Sequence, residues 1–116
     1  MRINLFVIPA VALILVAARP CRGQALVSEN GKQPRVAVTP DGTVCVVYAR
    51  DNAIYCSTST DDGKTYAVPV NVGTVEQLMC GMHRGPQVAG SGKSLVVTAI
   101  GKAGDIQCFQ IGRAHV

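Results

Sequence analysis

Two stretches of this chain repeat one another at a fixed spacing. Pro86-Gln87-Val88-Ala89 echoes Pro34-Arg35-Val36-Ala37, and Leu95 to Ile100 echoes Val44 to Ala49. Asp105-Ile106-Gln107-Cys108 then echoes Ala53-Ile54-Tyr55-Cys56. The offset is 52 residues for the first and last pairs and 51 for the middle pair, a single gap within a turn. A period of about 50 residues built from short strands describes stacked sheet units that bury their faces on one another. Such a chain cannot complete its core within one repeat.

Within the first repeat the strand and turn signals alternate. Pro34 to Val38 reads as a strand, Thr39-Pro40-Asp41-Gly42 as a turn, and Thr43 to Tyr48 as a second, nearly all-apolar strand. Arg50 to Ala53 turns again, Ile54 to Ser59 is a third strand, and a fourth begins within Tyr66 to Val70. No helical period competes. The predicted architecture is all-β: one four-stranded antiparallel sheet and part of a second.

The turn between the third and fourth strands is the most specific motif. Ser59-Thr60-Asp61-Asp62-Gly63-Lys64-Thr65-Tyr66 has the form Ser-x-Asp-x-Gly-x-Thr-aromatic. Asp61 can accept hydrogen bonds from the turn's own amides, and Gly63 supplies a position of positive φ. Ser59 and Thr65 bring short hydroxyls that bond locally, and Tyr66 can cover apolar neighbours with its ring. The octapeptide resembles the Asp box (BNR repeat) of the sialidase-type β-propellers. That resemblance covers about 34–110 and implies a fold expectation: one four-stranded propeller blade over 34–72 and a second beginning at Pro86, from a truncated propeller. In those families the box staples strands three and four, away from the active site. It marks architecture rather than catalysis.

The resemblance also implies an activity. Sialidases grip the substrate carboxylate with an arginine triad and use a Tyr–Glu nucleophile pair with an Asp acid/base. The first arginine lies in an Arg-Ile-Pro motif. Arg35-Val36-Ala37 stands in that place with Ala for Pro, and Arg84-Gly85-Pro86 keeps the Arg-x-Pro spacing before the second unit. Tyr48-Ala49-Arg50 retains only the Arg of a family Asp-x-Arg, and Asp51 lies in a turn shorter than the family's acid/base loop. Arg35 and Arg84 are therefore the candidate substrate-binding residues; each also suits a solvated strand edge. The catalytic residues are unknown, since the remaining arginines and the Tyr–Glu pair of a family member would follow Gln110. Two expectations stand: the N-terminal fragment of an exported sialidase-like glycoside hydrolase, inactive as the fragment, or a non-catalytic Asp-box propeller that binds glycan or protein. A third is a small secreted domain stapled by disulfides.

The chain ends have their own signatures. Residues 1–25 read as a secretory signal peptide: Arg2, an apolar run from Leu5 to Ala18, then Gly23-Gln24-Ala25 with small residues where a signal peptidase reads. The run is shorter than the roughly 20 apolar residues of a membrane span. The expected location is secreted or periplasmic, with no membrane association after cleavage. At the other end Ile111-Gly112-Arg113-Ala114-His115-Val116 is what the sequencing-adapter string ATC GGA AGA GCA CAC GTC encodes. Residues 111–116 are therefore expected to be an adapter-derived artefact, with native sequence over 26–110.

Charge and cysteine usage narrow the partners. The formal net charge of +4 arises from 11 basic and 7 acidic residues. Four of the basic residues, Arg2, Arg19, Arg22 and Arg113, lie in the two ends, leaving 26–110 with no net charge. Nothing here points to nucleic acid or an anionic membrane. The resemblance implies a glycan or glycoprotein partner and no cofactor, and no metal is expected, because Cys-x-x-Cys does not occur and His83 is the one histidine outside the ends. Cys45 and Cys56 are equidistant from the Arg50-Asp51 turn, so a symmetric hairpin places them opposite each other. They form either a disulfide, in an oxidising compartment, or two small buried apolar side chains. Cys108 occupies the position in the second unit that Cys56 has in the first, which points to a packing role for both.

Overall fold

The computed structural model describes residues 23–92 and 94–112. Seven strands are present: β1 (Lys32–Val38), β2 (Val44–Arg50), β3 (Ala53–Ser59), β4 (Val70–Thr74), β5 (Gln87–Ser91), β6 (Ser94–Ile100) and β7 (Ile106–Gly112). They form two antiparallel meanders, a four-stranded sheet in the order β1-β2-β3-β4 and a three-stranded sheet in the order β5-β6-β7. Each expected strand falls within two residues of an observed one, except that β4 starts at Val70, where the fourth-strand signal ends. The connection from Ser59 to Val70 is spent on the Ser59–Tyr66 turn and a short segment outside any strand. Most of the signal peptide expected over 1–25 lies outside the described residues. So do Lys93 and 113–116; Ile111 and Gly112 complete β7.

The hairpins follow from local chemistry. Thr39 N–H donates to Thr43 O (2.9 Å) and Gly42 N–H to Thr39 O (2.9 Å), while Asp41 accepts from the Thr39 hydroxyl and the Thr43 amide. Between β2 and β3 the turn has only two residues, Asp51 and Asn52, because Arg50 pairs with Ala53. Asp51 sits at φ 56°, a conformation that short polar residues tolerate better than others. Asn52 then binds the segment that follows β4: its carbonyl accepts from Val75 N (2.9 Å) and its side-chain oxygen from Leu78 N (3.2 Å).

That two-residue turn corrects the cysteine expectation. A hairpin centred on Arg50-Asp51 would pair Cys45 with Cys56. The true centre lies between Asp51 and Asn52, so Cys45 pairs with Thr58 and Cys56 with Val47. The two cysteines lie on one face as diagonal neighbours, a separation of about 7–8 Å that a disulfide does not bridge. Both thiols are free and buried. Their place is in the core.

The core is the interface between the sheets. Cys45, Val47, Ile54 and Cys56 of the first sheet are buried with Leu95, Val97 and Ala99 of the second and Val75 of the connection. Val72, Leu78, Val88, Phe109 and Ile111 pack around them. Each fully buried Val, Ile or Leu contributes roughly 1.5–3 kcal/mol. The sheets approach so closely at the outer strands that a Cβ on Gly73 would lie 2.4 Å from the Phe109 ring. At the other edge the first strands lie side by side: the Arg35 Nε–H donates to Gln87 Oε1 (3.1 Å), joining residues one repeat apart.

Candidate functional site

The Ser59–Tyr66 motif forms as a turn organised around one carboxylate. Asp61 Oδ1 accepts from the Ser59 hydroxyl (2.7 Å) and the Thr65 amide (2.9 Å), and Oδ2 accepts from the Thr65 hydroxyl (2.5 Å). The Ser59 oxygen in turn accepts from Gly63 N (2.9 Å). Asp62 and Gly63 take φ of 61° and 86°, and the Tyr66 hydroxyl folds back over Gly63, 3.4 Å from where a Cβ would be. Beyond the turn, Ala67 N–H donates to Thr58 O (2.8 Å) and the Ser57 hydroxyl to Ala67 O (2.5 Å), tying the outgoing chain to β3. The Thr65 hydroxyl first, then the Thr65 amide and the Ser59 hydroxyl, hold the Asp61 carboxyl far below the usual carboxylate range. All five residues singled out from the sequence, Ser59, Asp61, Gly63, Thr65 and Tyr66, thus meet in one turn.

The arginines lie elsewhere. In the β1–β2–β3 ladder Lys32, Ala49 and Ile54 align at one end, and Val38, Val44 and Ser59 at the other. The box leaves from the second end. The start of β1 and the Asp51-Asn52 turn share the first. Arg84 is exposed and closes a two-residue turn, Gly81 N to Arg84 O (3.0 Å) and Arg84 N to Gly81 O (2.9 Å), whose central Met82 and His83 have φ of 48° and 71°. The following Gly85 packs on Gln33, with room for no Cβ (2.6 Å to the Gln33 Cβ). The segments that carry Arg35 and Arg84 therefore meet at the start of the first sheet. Beside them Lys32, Ala49, Asp51, Leu78 and Cys80 line a cavity of about 210 Å³. Asp51 is its one carboxylate, and Cys80 is a half-buried thiol whose pKa burial raises against the lowering effect of Lys32.

Several contributors were not singled out from the sequence. Asn52 could have been found through its turn position, since Asn bonds backbone readily there. Gln87 was visible as the repeat partner of Arg35. Gly73 and Gly85 carry no sequence signal for their contacts. Among the described residues no group of three His, Cys, Asp or Glu is placed to hold a metal ion, and no helix is long and apolar enough to cross a membrane. No family model, curated protein or solved structure matches this chain.

Proposed function

We propose that this chain is the N-terminal part of an exported, sialidase-like Asp-box β-propeller, a glycoside hydrolase acting on glycans with a terminal anionic sugar, and inactive in this part alone. The observation that carries the reading is the turn built on Asp61, which joins the third and fourth strands of a sheet whose pattern restarts 51–52 residues later. The arginines support the substrate class. Arg35 lies midway along β1 and Arg84 precedes the Gly85 that packs on the start of that strand, and a guanidinium suits a sugar carboxylate because it can donate two parallel hydrogen bonds. In this reading the two sheets are the first blade and most of the second.

A non-catalytic Asp-box propeller binding glycan or protein has an observation of its own. Glycoside hydrolysis commonly needs two carboxyl groups flanking the scissile bond, and the cavity lined by Lys32, Ala49, Asp51, Leu78 and Cys80 holds one, Asp51. The experiment pairs turnover with binding. Exported protein is incubated with a fluorogenic sialoside, and saturation-transfer NMR is recorded with sialyllactose. The expected result is no turnover, with transfer to the sialic acid that weakens several-fold in Arg35→Ala and in Arg84→Ala. Absence of transfer, or transfer indifferent to both substitutions, overturns the proposed binding.

A further inference from the structure

The described asparagines are held in different ways. Asn71 lies within β4, paired with Tyr55 and followed by a valine. Asn52 is bound at both oxygens, by Val75 N and Leu78 N, and the next residue, Ala53, pairs with Arg50 and with Thr74. Asn30 has no such support. It is exposed in the bend before β1, and the Gly31 that follows it is exposed and outside any strand. Its main-chain N–H donates to the Ser28 hydroxyl (3.3 Å). Within the described residues no hydrogen bond engages the Asn30 side chain or the Gly31 amide.

That arrangement leaves a nucleophile beside an electrophile. Glycine has no Cβ to shield its nitrogen or to restrict the rotation that brings it onto the preceding side chain. The Gly31 nitrogen gives its proton to solvent base and attacks Cγ of Asn30. The N–Cγ bond forms, the Cγ–Nδ2 bond breaks, and ammonia leaves with a proton taken from water. Water then opens the cyclic imide, and the nitrogen regains its proton. Breaking the bond to Cγ gives aspartate; breaking the bond to the main-chain carbonyl carbon gives isoaspartate, with the chain rerouted through the side chain. One water enters and one ammonia leaves, and no oxidant is needed.

The fold both keeps this dipeptide and makes its conversion matter. A Cβ at position 31 would lie 2.8 Å from Tyr48 Cδ2, so the packing on that buried ring calls for glycine. Ser28, Glu29 and Asn30 line, with Tyr48 and Arg50, a cavity of about 310 Å³. Conversion adds a second carboxylate beside Glu29. The isoaspartyl product also adds a main-chain atom directly before the glycine seated on Tyr48. We propose that Asn30-Gly31 is a self-modification site, at which the folded chain converts asparagine to isoaspartate and aspartate, and that the isoaspartyl product lifts the segment before β1 off Tyr48. The site does not depend on glycan binding.

The test ages the full chain, expressed with export, in mildly alkaline buffer and maps its peptides by mass. A synthetic peptide of residues 26–35 is aged beside it. Asn30 in the protein should convert within several-fold of the peptide's rate, to a mixture of both acids, and Asn30→Gln should abolish the change. Ala53→Gly sets glycine after Asn52, where the side chain and the ladder are held; that site should convert only after denaturation in urea. Tyrosine nitration reads the consequence. Tyr48 should be modified in the isoaspartyl fraction but stay protected in the unaged protein and in Asn30→Asp, which gains the charge without the extra atom. An Asn30 that remains an amide after the peptide has converted overturns the proposal, as does conversion of Asn52 in folded Ala53→Gly at the rate of Asn30. A Tyr48 still protected in the isoaspartyl fraction overturns the proposed release.

Discussion

Asp61 shows how one half-buried carboxylate can direct eight residues. Its two oxygens take the Thr65 amide and both flanking hydroxyls, and Ser59 passes the connection on to Gly63. Because these bonds favour the charged form, the folded pKa lies below the ordinary aspartate value of 3.8. The sign follows from linkage: the contribution is complete above the unfolded pKa and is lost as pH falls below 3.8 toward the depressed folded value. Asp61→Asn should therefore flatten the acid side of a stability profile between about pH 5 and 2, while its effect at pH 7 persists; chemical denaturation at a series of pH values reads this out. At Gly63 the φ of 86° makes Gly63→Ala cost about 1–2 kcal/mol, seen as a lower denaturation midpoint at unchanged slope. These roles were legible in the sequence because turn chemistry is local. The acceptor, the positive-φ residue and the hydroxyls lie within seven positions, and no tertiary information is needed to assign them.

The strands were legible for a similar reason, but their register was not. β-branched runs between Pro, Gly, Asn and Asp locate β1 to β3 and β5 to β7. The partner of each residue depends on where a two-residue turn is centred, and one residue's displacement moved Cys45 from opposite Cys56 to opposite Thr58. The consequence is chemical. Burial first, and Cys45 second, push the Cys56 thiol up to about 12, and burial also raises Cys45. Alkylation at pH 8 followed by mass mapping should label exposed Cys108 first, half-buried Cys80 more slowly, and Cys45 and Cys56 only after denaturation. A protected pair linked by a disulfide would contradict this register. The outer strands give a steric prediction. Gly73→Ala drives a methyl group into the Phe109 ring, and overpacking of this kind costs about 1–3 kcal/mol. In a Phe109→Ala background the same Gly73→Ala change should cost less, read as a smaller difference in melting temperature, because the obstruction is gone.

For the molecule as a whole, the repeat predicted that two units would stack. It did not give the side that Cys108 would occupy. Equivalent positions are buried in the first sheet and open in the second because only the first sheet has a neighbour on that side among the described residues. Arg35 and Arg84 were likewise legible as charges at strand starts, while the meeting of their segments through Gln33 and Gly85 came from packing. Two sheets with apolar outer faces expose area that water disfavours. The chain should be poorly soluble and melt broadly. Sharp cooperative melting would contradict that expectation. The central claim is that two copies of one sheet unit pack face to face, and a single nuclear Overhauser contact tests it most directly. In isotope-labelled protein the Phe109 ring protons should show a strong cross-peak to the Gly73 α protons, 36 residues away in sequence, with those α protons displaced by the ring current. If the cross-peak is missing while the β2–β3 and β6–β7 ladders are intact, the sheets form but do not stack, and the account fails.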